Sequence, residues 1–136
     1  MKTYETLDEA RKAGVAPWDQ SVENLSDFHV AVFQDRYPVT TGHLLFVPTY
    51  NTLTVINDAF ESALRHGESM VKRDECTGYN IGFNSGSSAG QTVMYPHVHL
   101  IPRRRDDCVD PVGGVRGVIP GQANYKSSGY RLPSDD

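Results

Sequence analysis

Several features are scarce in this sequence, and each scarcity argues against a class of protein. The chain has two cysteines, Cys76 and Cys108, and they form no Cys-x-x-Cys pair, so neither a disulfide framework nor a cysteine-based metal site is predicted. No apolar run approaches the length of a membrane span, and the first residues carry no hydrophobic signal core. Basic residues number 13 against 17 acidic ones, which argues against broad nucleic-acid binding. We therefore expect a cytoplasmic protein with no membrane or nucleic-acid partner, in which any phosphate site is built locally.

The length and composition fit one compact domain. A chain of 136 residues with 38% hydrophobic content can bury one core but not two comfortable ones. We therefore predict a single domain over residues 1–136. Within it, residues 1–20 are expected to form a peripheral segment and residues 126–136 a flexible polar tail. Trp18 either plugs the core or stacks near a ligand, and packing is favoured.

The hydrophobic pattern predicts an α+β fold. Alternating and β-branched residues over 27–35, a turn, and the apolar run 43–48 indicate a hairpin. Residues 53–72 carry apolar side chains at helical spacing, which predicts the one main amphipathic helix. Residues 78–84 read as another strand. The expected architecture is a mostly antiparallel sheet with a helix on one face.

Two histidines alternate with apolar residues in the stretch Gly90–Arg103. Side chains alternate faces along a strand, so Tyr95, His97 and His99 would share one face. The two imidazoles would then lie roughly 6 to 7 Å apart, close enough to grip one small anionic group. Histidines on a half-exposed strand are also common as ordinary surface residues. The pattern alone leaves both interpretations open.

The segment Asn84–Thr92 is rich in glycine and serine and runs directly into that stretch. Its glycines allow backbone N–H groups to turn toward an anion, and its hydroxyls and amides supply further donors. It is not a Walker A loop, because no Gly-Lys-Ser/Thr sequence ends it. By itself such a segment is typical of a flexible turn, but beside two histidines it indicates a phosphate site.

These motifs together resemble a known family. The run Gly90-Gln91-Thr92-Val93, followed by alternating histidines and Ile-Pro-Arg, resembles the signature of the histidine triad (HIT) superfamily of nucleotide hydrolases and transferases. Residues 35–48 resemble the upstream hairpin of that family, and the matches extend over about residues 28–125. One position departs from the His-x-His-x-His pattern, because Tyr95 stands where the first histidine is expected.

The resemblance implies a role for each motif residue. The implied catalytic residues, with His97 as the nucleophile, are His97, His99, His43 and Thr92. The implied substrate-binding residues, with the first as the ribose contact, are Asp35, Asn84, Gly90, Gln91, Tyr95 and Arg103. No metal and no required cofactor are implied, with Mg²⁺ admitted only as a companion of a polyphosphate substrate. A homodimer is also implied.

The expected function is hydrolysis or nucleotidyl transfer at the α-phosphate through a covalent nucleotidyl-histidine, with a dinucleoside polyphosphate as the first substrate. A nucleoside phosphoramidase is the second enzymatic possibility. The alternative from another class is a nucleotide-binding or sensory protein that lost efficient catalysis, because Tyr95 would weaken a proton relay. The basic triplet 103–105 is either a solvated loop or a holder for leaving-group phosphates, and Arg116 is the weakest candidate.

Overall fold

The computed structural model describes residues 3–127 and 132. The chain divides into two compact units, Met1–Arg103 and Arg104–Asp136. Within the described residues, the α-helices and strands lie in the first unit, in the order α1 (Leu7–Lys12), β1 (Val30–Gln34), β2 (Leu44–Pro48), α2 (Leu53–Lys72), β3 (Gly78–Phe83) and β4 (Val98–Arg103). None of the helices in the described residues combines the length and the apolar content that a bilayer crossing requires.

The four strands form one antiparallel sheet in the order β1-β2-β4-β3. The β1 and β2 strands are the predicted hairpin, and β4 lies between β2 and β3 although it comes last in the sequence. The register places Phe33 opposite Leu45, and Leu45 opposite His99. With one main helix packed on this sheet, the expected α+β fold is confirmed.

The α2 helix covers one face of the sheet. It spans the predicted residues 53–72, and the Thr52 side chain caps it by accepting a hydrogen bond from the Val55 N–H at 3.3 Å. Its buried residues Ala59 and Ala63 lie in a cluster with alternate residues of β1, β2 and β4. The small side chains let the helix approach the sheet closely.

The N-terminal segment covers the opposite face, which corrects the expectation that residues 1–20 are peripheral. Leu7, Ala10, Ala16 and Trp18 are all buried in a cluster with sheet residues. These apolar side chains are removed from water against the face of the sheet that α2 leaves uncovered. Packing of Trp18 is confirmed.

The β4 strand begins at Val98, so Tyr95 and His97, which the alternating pattern predicted on the same strand as His99, precede it. Pro96 has no N–H to give to a ladder, and the carbonyl of Tyr95 is engaged by a side chain instead of a neighbouring strand. From Val98 onward the burial alternates, with Val98 and Leu100 fully buried toward α2. His99 therefore faces the side of the sheet that carries the N-terminal segment.

The second unit contains a short 3-10 helix, Gly114–Val118. Arg116 donates through Nε to the carbonyl of Ala123 at 3.2 Å, and its guanidinium lies 5.3 Å from the Tyr125 ring centre. Of the predicted flexible tail, residues 128–131 and 133–136 lie outside the described residues.

Candidate active site

A cavity of about 340 Å³ lies on the face of the sheet that carries His99. Its floor comes from β1, β2 and β4, and its walls come from the N-terminal segment and the Gly/Ser loop. The residues that line it are Pro17, Trp18, Asp19, Gln34, Asp35, Arg36, Tyr37, Leu45, Asn84, Gly90, Thr92, Val93, His97 and His99. Its volume is within the range of small-molecule sites.

His97 is buried and held in one orientation. Its Nδ1 lies 2.7 Å from the carbonyl oxygen of Tyr95, and its ring centre lies 4.9 Å from that of Trp18. A carbonyl only accepts hydrogen bonds, so Nδ1 carries the ring proton and Nε2 presents a lone pair. Burial lowers the pKa of His97, partly offset by the Tyr95 carbonyl and Asp35, so the ring is neutral at neutral pH.

His99 and His43 form a second pair of rings beside His97. The ring centres of His97 and His99 are 5.2 Å apart, somewhat closer than the expected 6 to 7 Å. His43 precedes β2 and lies behind His99, with its Nε2 2.9 Å from His99 Nδ1. Burial, reinforced by the His97 and His43 rings, lowers the pKa of His99 to about 4. Burial also lowers the pKa of His43, against the opposing charge of Asp35.

Asp35 lies at the end of β1, where the hairpin brings it to the histidines. Its Oδ1 accepts a hydrogen bond from the Tyr37 N–H at 2.8 Å, which fixes the carboxylate in the turn. Its Oδ2 lies 3.4 Å from His43 Nε2 and 3.9 Å from His99 Nδ1. The predicted proximity of Asp35, His43 and the strand histidines is therefore observed.

Within the described residues, one group offers the atoms of a metal site. Asp35, His43 and His99 each present one ligand atom, and these atoms lie within 4.8 Å of one another. The Val39 N–H, however, donates to His43 Nδ1 at 3.2 Å, so that nitrogen must supply a lone pair. A neutral His43 then carries its proton on Nε2, the very atom a metal would need. The ring orientation therefore does not fit a metal ligand.

The Gly/Ser loop is folded on itself more than expected. Gly86 and Gly90 have φ of 92° and 91°, in the left-handed region that glycine adopts readily. The side-chain amide of Gln91 accepts from the Gly86 N–H at 2.8 Å and donates to the Val93 carbonyl at 3.0 Å. Gln91 therefore shapes the loop and does not line the cavity, in contrast to its predicted substrate contact. The Gly90 and Gln91 N–H groups are also used within the loop.

Asn84, Gly90 and Thr92 do line the cavity, as the motif predicts. Asn84 follows the last residue of β3, and Thr92 leaves the loop toward His97, so the two approach the histidines from different elements. Their amide and hydroxyl groups are suitable donors to phosphate oxygens.

Tyr95 is not part of the cavity lining, which corrects its predicted substrate contact. The side chain is fully buried, and its hydroxyl donates to the Pro48 carbonyl oxygen at 2.8 Å. Burial raises the pKa of Tyr95, so the hydroxyl keeps its proton. The residue replaces a histidine with a core side chain, and only its backbone carbonyl serves His97.

Arg103 is likewise absent from the cavity lining. It ends β4, roughly 17 Å along the strand from Val98, because a strand rises about 3.3 Å per residue. Its guanidinium donates to Asn80 Oδ1 on β3 at 2.7 Å. This arginine joins two strands at the far end of the sheet from His97.

Sequence reasoning missed the polar residues at the cavity mouth. These residues are Gln34, Arg36 and Tyr37, which flank Asp35 in the sequence. Their position beside a predicted site residue was the one feature of the sequence that could have indicated a place in the cavity lining. Arg36 donates to Asp19 Oδ2 and to the Pro17 carbonyl, both at 3.3 Å. No local pattern links these positions, because the contact is made only after the chain folds.

Comparison with known proteins identifies the family of this chain. A family model described as the HIT domain matches residues 23–106. The asymmetrical bis(5'-nucleosyl)-tetraphosphatase of Schizosaccharomyces pombe is 33% identical over 84 residues, or 57% of this chain and 46% of that protein. The adenylylsulfatase HINT3 of Arabidopsis thaliana is 30% identical over 82 residues, or 55% of this chain and 42% of that protein.

Solved structures show the same fold. The crystal structure of a HIT family protein from Bacillus anthracis matches with a TM-score of 0.60 and 26% identity, covering 78% of each chain. The chain spans less than half the length of the two curated relatives named above, which are both named as hydrolases. Because the family model matches more than half of the sequence, this chain belongs to the HIT-domain family.

Proposed function

We propose that this protein is a nucleotide phosphohydrolase that acts at the α-phosphate through a covalent nucleotidyl-histidine on His97. The observation that carries the proposal is the 2.7 Å contact between His97 Nδ1 and the Tyr95 carbonyl. It leaves the Nε2 lone pair of a neutral, buried ring beside the cavity. An imidazole in this state is a nucleophile that needs no separate base.

The proposed reaction has two steps. The Nε2 lone pair of His97 forms a bond to the α-phosphorus, and the bond from phosphorus to the leaving group breaks with its electron pair. The ring then carries a positive charge, which the hydrogen bond from Nδ1 to the Tyr95 carbonyl stabilises. Water next replaces His97 on phosphorus and releases a proton, and the ring returns to its neutral form.

The other cavity residues would stabilise charge and position the substrate. We assign His99 and Asn84 to the nonbridging phosphate oxygens, where negative charge builds in the transition state. The Thr92 hydroxyl would donate to the leaving-group oxygen, and Asp35 would accept from ribose hydroxyls. All four line the cavity. No cofactor is part of the proposal, with Mg²⁺ admitted only as part of a polyphosphate substrate.

A dinucleoside polyphosphate is the first substrate that we propose. The tetraphosphatase relative supports it, while the adenylylsulfatase relative adds adenylyl sulfate to the substrates that should be tried. A nucleoside phosphoramidate is the remaining enzymatic alternative. All three present a nucleoside α-phosphate to His97 and differ only in the leaving group, so the residues at the cavity floor serve each of them.

The test is chromatography of the products formed from diadenosine tetraphosphate, with binding measured in parallel. His97→Asn is the informative variant, because its amide can still donate to the Tyr95 carbonyl but offers no nucleophilic nitrogen. His29→Asn, at an exposed histidine outside the cavity lining, is the matched control. We expect AMP and ATP from the wild type and the control, and loss of both from His97→Asn. Equal rates from His97→Asn would refute the proposal.

The binding-protein alternative is favoured by one observation, the replacement of a motif histidine by Tyr95. The structure weakens that argument, because the Tyr95 hydroxyl is bonded to Pro48 in the core and the nucleophile still has its carbonyl partner. Tight nucleotide binding with no product from any of the three substrate classes would favour the alternative.

We also propose a homodimer in the cytoplasm. The outer edge of β3 has no paired strand among the described residues, whereas the outer edge of β1 is bridged by Ser21 opposite Phe33. An unpaired edge of six residues can pair with a second copy of the chain. Light scattering at the concentration used for activity should give the mass of two chains, and the mass of one chain would contradict this part of the proposal.

A further inference from the structure

Two consecutive contacts connect the backbone at Val39 to His99 through His43. The Val39 N–H is directed at His43 Nδ1, at 3.2 Å between the nitrogens. His43 Nε2 lies 2.9 Å from His99 Nδ1. The His43 side chain is 4% exposed, so water competes little for either ring nitrogen.

The direction of the first contact determines the direction of the second. A backbone N–H only donates, so His43 Nδ1 must offer its lone pair and cannot hold a proton. A neutral His43 then carries its proton on Nε2, facing His99. Two N–H groups cannot face each other at 2.9 Å without repulsion, so His99 Nδ1 accepts. The proton of a neutral His99 is therefore on Nε2.

We propose that Val39 is a positioning residue whose backbone N–H sets the tautomers of His43 and His99, so that His99 presents an N–H to the cavity. Among the described residues, neither Nε2 of His97 nor Nε2 of His99 has a protein partner. The two rings then offer opposite groups to a ligand, a lone pair on His97 and a donor on His99. The tautomers follow from these contacts alone. The role of the His99 N–H, a hydrogen bond to a nonbridging phosphate oxygen, rests on the proposed function.

Asp35 is the neighbouring group that could alter this arrangement. Its Oδ2 is 3.4 Å from His43 Nε2 and 3.9 Å from His99 Nδ1, both longer than the contact between the rings. A carboxylate only accepts, so its nearest effect is to favour the proton on His43 Nε2. Asp35 therefore reinforces the direction that Val39 imposes.

The direct test is long-range ¹H–¹⁵N correlation spectroscopy of the histidine rings in the full, ligand-free chain at neutral pH. Protonated and unprotonated ring nitrogens resonate far apart, so each tautomer can be assigned. We expect the proton on Nδ1 in His97 and on Nε2 in both His43 and His99. A proton on Nδ1 of His43 or of His99 would overturn the proposal.

A pair of backbone variants tests the role of Val39 itself. Val39→Pro removes the N–H, whereas Val39→Ala keeps it and shortens only the side chain of a residue that is 65% exposed. We expect His99 to show a population with its proton on Nδ1 in Val39→Pro, and the wild-type tautomers in Val39→Ala. Wild-type tautomers in a folded Val39→Pro protein would refute the assignment.

A second pair of variants tests the hydrogen bond from His43 to His99, and it can be used if the Val39→Pro protein does not fold. His43→Gln and His43→Met have side chains of similar length, but only glutamine can donate to His99 Nδ1. With diadenosine tetraphosphate, kcat should fall at least about tenfold further in the methionine variant than in the glutamine variant, with a smaller change in KM. Equal kcat values would contradict the proposed donation from His43 to His99.

The tautomer assignment and the proposed hydrolase reaction can fail separately. The expected tautomers without any turnover would support the role of Val39 and refute the proposed reaction. Turnover that depends on His97, with the His99 proton on Nδ1, would support the reaction and refute the role of Val39.

Discussion

The burial of His99 should be measurable as a loss of stability in acid. Burial and the neighbouring His97 and His43 rings lower the pKa of His99 to about 4 in the folded protein. In the unfolded chain the pKa returns to about 6.5. Between these values the unfolded state binds more protons, so the free energy of unfolding falls as the pH falls. The side chain is 21% exposed, so solvent screens this effect only partly.

The size of this effect follows from the two pKa values. Linkage predicts that His99 alone removes about 2 kcal/mol of stability by pH 5 and about 3 kcal/mol by pH 4. Urea unfolding of the wild type and of His99→Gln at pH 7, 5 and 4 would measure it, because the contribution of the carboxylates cancels in the difference between the two proteins. The free energy of the wild type minus that of the variant should fall by these amounts.

A control and a refuting result are available for this measurement. His29 is exposed, with 54% of its side chain accessible, so the corresponding difference for His29→Gln should change by less than about 1 kcal/mol. If the difference for His99→Gln also stays constant from pH 7 to pH 4, the pKa of His99 is not lowered in the folded protein. That result would refute the effect of burial on His99, whereas its assignment as a donor rests on the contacts of Val39 and His43.

Three further predictions concern the core, the helix and the reaction. Tyr95→Phe leaves the Pro48 carbonyl without its 2.8 Å donor, so the free energy of unfolding should fall by about 1 to 3 kcal/mol with little change in kcat. A large fall in kcat would show that the hydroxyl takes part in the reaction. Gly67→Ala would place a Cβ 2.9 Å from ring atoms of Tyr79, so the free energy of unfolding, measured by thermal unfolding, should fall by about 1 to 3 kcal/mol. A more stable variant would contradict this packing. Protonation of His97 removes its lone pair, so kcat/KM should fall in acid with a midpoint below the ordinary pKa of 6.5; a midpoint above 6.5 would contradict the lowered pKa.

The sequence predicted those parts of the fold that depend on local periodicity. The helix 53–72 was predicted because its apolar side chains recur on one face, and the structure buries that face against the sheet. The hairpin was predicted from two apolar runs around a turn, and this was sufficient to place Asp35 near His43. The alternation of strand side chains predicted that the two histidines share a face, and both line the cavity, although only His99 lies on β4 and His97 precedes that strand.

The remaining features depend on contacts that no local pattern encodes. Tyr95 was expected at the substrate because of its position in the motif, but its hydroxyl donates to the carbonyl of Pro48, at the end of β2. Gln91 was expected to contact phosphate, but its side-chain oxygen accepts a hydrogen bond from the Gly86 N–H in the preceding loop. The Arg36 contact with Asp19 joins two separate segments at the cavity mouth. In each case a polar group found a partner that becomes available only in the folded chain.

The most direct test of the account is detection of the nucleotidyl group on His97. Intact-mass and peptide spectrometry after rapid mixing with diadenosine tetraphosphate should show one nucleotidyl adduct that forms and decays at rates compatible with turnover. A bond from phosphorus to a histidine nitrogen should be lost in acid and retained in alkali, and His97→Asn should show no adduct. Turnover by the wild type with no adduct on His97, or with the adduct on another residue, would contradict the central claim.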